Sequence, residues 1–110
     1  MMVNQQQDGS VLVIALNGRL DSATVMQVDE ALTRALDAAP AIVLDLAELG
    51  YVKSAGLRVL LKTAKQAKSR QVRLALAAMQ PTVQNVFEVS GFSTIFSIYA
   101  DRGEALAQLR

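Results

Sequence analysis

Apolar residues along this chain fall into two rhythms, short unbroken runs and longer stripes at helical spacing, and the two alternate. Val11 to Leu16 is apolar throughout and stops at Asn17-Gly18, a length suited to a buried strand. Asp8-Gly9 just before it is hairpin-turn chemistry and predicts an antiparallel first strand over residues 2 to 7. Val25, Val28, Leu32 and Leu36 then recur every three or four positions, with Asp29, Glu30 and Arg34 off the stripe. That spacing predicts an amphipathic helix capped by Asp21 or Ser22 and ending before Pro40.

The alternation continues to the end of the chain. Ala41 to Leu46, "AIVLDL", predicts a second buried strand, and Tyr51-Val52 leads from it into a helix beginning near Ser54. Leu57, Leu60, Leu61, Ala64 and Ala67 mark the inner face of that helix, and Arg58, Lys62, Lys65 and Ser69 its outer face. Val72 to Ala77 is a third run. Pro81 suits the first turn of another helix, whose buried side is Val83, Val86 and Phe87 and whose stop is Gly91. Ile95 to Tyr99 is the last predicted strand, and Asp101 with Glu104 forms a capping-box pattern opening a final helix through Leu106 and Leu109.

Strands separated by helices imply right-handed crossovers, so the expected fold class is α/β: one domain over residues 1–110, with a mixed, mostly parallel sheet flanked by helices. Sites in such sheets gather beyond the carboxyl ends of the strands. The loops expected there are Gly18 to Ser22, Gly50 to Ser54 and Ala78 to Gln80.

Composition narrows the chemistry. The 110 residues contain no cysteine and no histidine, which removes thiolate and imidazole metal ligands, cysteine nucleophiles and the usual neutral-pH acid and base. The expectation is a protein that is not an enzyme and carries neither metal nor cofactor. Asp45 and Glu48 are the nearest carboxylate pair, and Asp45, inside an apolar run, reads as the closure of its strand. Met1 to Ser10 has no basic start, and no stretch approaches the ~18 apolar residues of a membrane span, so a cytoplasmic protein without membrane insertion is expected.

Net charge is only +1, yet Lys53, Arg58, Lys62, Lys65, Lys68, Arg70 and Arg73 lie in a stretch, Leu49 to Phe87, that has no acidic residue. A nucleic-acid surface is one reading of this block. Against it, no aromatic residue falls between Tyr51 and Phe87 to stack on bases, and a charged helix face is commonly just solvated.

The centre of the block is "YVKSAGLRVLL", Tyr51 to Leu61. As an N-cap, Ser54 would contribute ~1 kcal/mol by satisfying a free backbone N–H. Its neighbours suit a second role. Gly56 in a first turn costs ~1 kcal/mol relative to alanine, and Lys53 places a positive charge at the positive end of the helix dipole. Ala55 and Gly56 would leave room for an approaching group, and Lys53 would favour an anion. A phosphate on Ser54 would meet free N–H groups and add a charge of about −1.5 to −2.

Three segments carry a family resemblance: "NGRLDSATV" (Asn17 to Val25), "IVLDLAELGYVKSAGLRVLL" (Ile42 to Leu61) and "VQNVFEVSGFSTIFSIY" (Val83 to Tyr99). In this order, and over nearly the whole chain, the sequence resembles the STAS domain of bacterial anti-sigma factor antagonists. The resemblance implies a phosphoacceptor at Ser54. It also implies a partner anti-sigma factor that is itself a serine kinase and supplies ATP, a phosphatase that reverses the mark, and release of sigma factor by the unphosphorylated form. It places Asp21, Ser22, Lys53, Ala55, Gly56, Leu57 and Arg58 in the partner-binding region, Asp21 matching the family's "G-x-L-D" acid. Where the family commonly has an aspartate before the serine, this chain has Lys53, and the position after the serine, often hydroxyl-bearing, is Ala55. STAS-like domains also serve, without phosphorylation, as subunits of lipid transporters and signalling complexes, a role that stays open here.

Overall fold

A computed structural model describes all 110 residues. Its strands are β1 (Met2–Asp8), β2 (Val11–Leu20), β3 (Ala41–Asp45), β4 (Leu49–Val52), β5 (Arg73–Ala77) and β6 (Ser97–Tyr99). Its helices are α1 (Val25–Ala38), α2 (Ser54–Ser69), α3 (Pro81–Val89) and α4 (Arg102–Leu109), with a 3-10 turn at Phe92–Thr94. Five strands form the order β1-β2-β3-β5-β6, and β4 joins at the end of β2. Only the β1/β2 hairpin is antiparallel; β2/β3, β2/β4, β3/β5 and β5/β6 are parallel. The expected α/β class and mixed sheet are therefore what the chain adopts.

The apolar runs are explained by burial on both faces of the sheet. Leu12, Ile14, Leu16, Ile42, Leu44 and Leu76 point into the larger core, which they share with Val28 and Leu32 of α1, Leu57 and Leu60 of α2, and Val83 and Phe87 of α3. The alternate positions Val11, Val13, Ala41, Val43, Ala75 and Ala77 face Ala105, Leu106 and Leu109 of α4. Small alanines on that side let the short α4 settle close to the sheet. Phe87 and Phe96 meet edge to face, centroids 5.4 Å apart, closing the core beneath α3.

Several boundaries depart from expectation. β2 does not stop at Asn17-Gly18 but runs to Leu20, because Gly18 adopts φ +124° and its N–H donates to Glu48 O at 3.1 Å, carrying the strand through an irregularity onto β4. Leu49–Val52, expected only as a lead into α2, is that parallel strand. The first turn lies at Gly9-Ser10, since Asp8 still pairs with Val11. The last strand is shortened to three residues, Ser97–Tyr99: Ile95 keeps helical backbone as the cap of the 3-10 turn at Phe92–Thr94 that follows Gly91, at φ +75°. Buried positions on α2 are Gly56, Leu57, Leu60, Thr63 and Ala67; Leu61 and Ala64 are only half-buried, and the Thr63 hydroxyl is absorbed by Val59 O at 2.9 Å.

Other readings hold. Pro81 opens α3. Asp101 caps α4 by accepting from Glu104 N–H at 2.8 Å. Asp45 closes β3: one oxygen accepts from Ala47 N–H at 3.0 Å and the other pairs with Arg102 Nε at 2.8 Å. No helix is long and apolar enough to cross a membrane.

Candidate functional site

The starts of α1, α2 and α3 all follow parallel strands, so the three positive helix ends gather at one end of the sheet. None of the three carries an acidic residue in its first turn. Helices α1 and α2 lie side by side in parallel, and contacts across them keep a constant interval of 33 residues: Lys62 with Asp29 and Arg70 with Asp37. Lys53 N–H donates to Leu20 O at 2.9 Å with the same interval, so the loop before α1 and the start of α2 are level. Asp21 and Ser22 consequently stand beside Ser54 and Ala55.

Ser54 is not the N-cap of α2. Lys53 holds that position, in extended backbone, and Ser54 is the first helical residue. Its side chain is exposed and takes part in no side-chain hydrogen bond of the chain. The capping role considered for this serine is therefore unused, and its hydroxyl is free.

The neighbouring residues divide between surface and interior. Lys53 and Arg58 are exposed and Ala55 half-exposed. Gly56 and Leu57 are buried, so they lie beneath the surface rather than on it. The room that Gly56 was expected to leave around the hydroxyl is already occupied. A Cβ there would stand 2.5 Å from Leu20 Cγ and 3.2 Å from Leu20 O, which makes glycine the residue that lets α2 approach β2.

Asp21 and Ser22 do not cap α1 directly, since that helix begins at Val25. Instead Asp21 Oδ1 accepts from Ala23 N–H at 3.0 Å. The Thr24 hydroxyl accepts from Asp21 N–H at 3.1 Å and donates to Arg19 O at 2.7 Å. The loop is thus tied to itself and to the end of β2, with Ser22 left exposed. Thr24 was missed from the sequence, although Asp-x-x-Thr before an apolar stripe is a side-chain capping pattern.

Two further residues complete the rim. Arg19 and Tyr51 are register partners across β2/β4, and the guanidinium lies 4.8 Å from the ring centroid, with Asp21 Oδ2 4.0 Å from Arg19 Nε. The start of α3 supports β4 from the other side: Gln80 Nε2 donates to Ala47 O at 2.9 Å and the Thr82 hydroxyl to Gly50 O at 3.4 Å.

The basic block is not a continuous cationic surface. Lys62 Nζ lies 2.7 and 2.9 Å from the two Asp29 oxygens, Arg70 pairs with Asp37, and Arg73 donates to Gln108 O and Leu109 O at 2.7 and 3.3 Å. Lys65 and Lys68 are exposed and unpaired farther along α2, while at its start Lys53 and Arg58, with Arg19 of β2, set the charge around Ser54, and Asp21 is the acid beside them. The arrangement presents a small positive surface around an unengaged hydroxyl.

Comparisons with known proteins agree along the whole chain. A family model described as "STAS domain" matches residues 2–105. A Bordetella bronchiseptica protein named as a candidate anti-sigma factor antagonist, BtrV, is 37% identical over 111 residues, covering 100% of this chain and 96% of the relative. The anti-sigma F factor antagonist of Paenibacillus polymyxa is 31% identical, covering 99% and 95%. Among solved structures, the anti-sigma factor antagonist SpoIIAA in its unphosphorylated form superposes with a TM-score of 0.84 at 25% identity, covering 99% of this chain and 96% of that one.

Proposed function

Because the chain belongs to the STAS domain family, we propose that it is an anti-sigma factor antagonist that docks on an anti-sigma factor through the surface around Ser54. The partner is a serine kinase that supplies ATP and phosphorylates Ser54. The phosphorylated form no longer docks, and a phosphatase restores it. Sigma factor is released while the unphosphorylated antagonist holds the anti-sigma factor.

The observation that carries this reading is the position of Ser54: first residue of a 16-residue helix, exposed, with its hydroxyl engaged by nothing. The docking surface comprises Asp21, Ser22, Lys53, Ser54, Ala55 and Arg58, with Gly56 and Leu57 fixing its level from below. Modification here changes the surface and not the core, because the hydroxyl supports no contact whose loss would disturb the fold. Two added negative charges at most would be received by the free N–H groups of the α2 terminus and by Lys53. The relatives' names support this function over that of a transporter subunit.

The test is capture of the cognate anti-sigma factor by three forms of the chain. Wild type and Ser54→Ala should bind it and Ser54→Asp should lose it, with mass spectrometry finding phosphate on Ser54 after incubation with kinase and ATP. Equal capture by all three forms would sink the switch.

A further inference from the structure

We propose that β1 is a self-association edge, through which two copies of this chain join about a two-fold axis at Gln5. The sheet has two outer edges, and they are built differently. The β6 edge has only three strand residues and begins three residues after the end of a 3-10 turn, so it offers little backbone to a neighbour. β1 is seven residues long and pairs with β2 without interruption from Met2↔Asn17 to Asp8↔Val11. It holds no proline, no lysine and no bulge, the devices that commonly protect an edge. Five of its residues are exposed, and alternate N–H and C=O groups along its outer side have no strand to meet.

Geometry specifies the partner as a second copy. An axis perpendicular to a continuous sheet keeps each face on its own side, so it must pass where a residue opposes itself. Full overlap of Met2–Asp8 then places the axis at Gln5, with Asn4 opposite Gln6, Val3 opposite Gln7 and Met2 opposite Asp8. Cross-strand neighbours share a face, so the amides of Asn4 and Gln6 meet, and Gln5 meets its own copy. The strand's sole charge, Asp8, is held by Arg110 Nη2 at 2.9 and 3.1 Å and faces Met2, which is 61% exposed, so the two Asp8 carboxylates do not oppose each other; Arg102, whose Nη1 donates to Gln6 Oε1 at 3.4 Å, flanks the strand on the same face. Alongside β1, α1 presents Glu30 and Arg34 as an exposed pair, one charge of each sign, which is self-complementary under the same axis. Pairing of β1 with β6 instead would be heterologous and would propagate without closing. None of Asp21, Lys53, Ser54 and Arg58 belongs to β1.

Sedimentation equilibrium of the purified chain, from micromolar to millimolar, tests this directly. The mass should rise from 11.8 kDa towards twice that value with concentration. Gln5→Lys opposes two ammonium groups on the axis and should abolish the rise, while Ser97→Lys on β6 should leave it unchanged. The chain has no native thiol, so a nitroxide on Gln5→Cys should report a short intermolecular distance and one on Ser97→Cys a long one. A monomer at every concentration, a dimer that survives Gln5→Lys, or a short Ser97 distance would each overturn the proposal.

Discussion

Gly56 in the first turn of α2 touches Leu20 at the end of β2 so closely that a Cβ would lie 2.5 Å from Leu20 Cγ. The atom in the way is not the far end of a flexible side chain, and Leu20 is fully buried, so it cannot swing aside. Gly56→Ala gains ~1 kcal/mol of helix propensity but meets an overpacking cost of about 1 to 3 kcal/mol. The variant should therefore be less stable in urea unfolding. In a Leu20→Ala background the same change should become neutral or favourable, the coupling of a double-mutant cycle. An alanine that stabilises both backgrounds would remove the packing explanation.

Lys53 makes the proposed docking surface positive, and its charge is not consumed by any ion pair within the chain. Lys53→Asp should slow association with the anti-sigma factor roughly tenfold at low salt and flatten its ionic-strength dependence, as expected for a charge on the rim of an interface. Lys62→Ala serves as the contrast. Its ammonium is held by Asp29, so it should leave association unchanged and cost less than ~1 kcal/mol of stability. Surface-plasmon association rates measured across a salt series separate the two.

Ala78 follows the last residue of β5 with φ +61°, the left-handed region, while its N–H donates to Tyr99 O at 3.2 Å. A non-glycine residue there costs roughly 1 to 2 kcal/mol. Ala78→Gly should recover about 1 kcal/mol of that strain, partly offset by the freedom glycine gains when unfolded. Calorimetry should find a midpoint several degrees higher, with partner capture unaffected. A lower midpoint would mean that the alanine methyl packs more than the strain costs.

Much of the architecture was legible because burial on both faces of a parallel sheet writes itself as apolar runs, and α1 to α3 each expose one polar face. Pairing was harder to read. Asn17-Gly18 looks like a strand end, yet a glycine at φ +124° is what lets β2 continue onto β4. β4 itself is four residues, Leu49 to Val52, with only its two ends buried, too brief for a periodic signal. At the site, the serine was visible as a residue out of place at a helix start, but its local geometry was not: Lys53 takes the cap, and the hydroxyl is left over. Gly56 suggested open space, and only the path of Leu20 reveals that the space is filled. Thr24 could have been found from its spacing to Asp21, while the Arg19-Tyr51 stack depends on a strand pairing invisible in one dimension.

The constant interval between the two parallel helices has an evolutionary consequence. Leu20 with Lys53, Asp29 with Lys62 and Asp37 with Arg70 tie two non-adjacent segments into one rigid frame. A single-residue insertion between Val25 and Asp37 would rotate the later contact by about 100° and draw it out of line. Length change in this lineage should therefore collect in the Gly9-Ser10 turn or after α3, where no such frame is crossed. Transplanting α2 between relatives should work only when its partner helix travels with it.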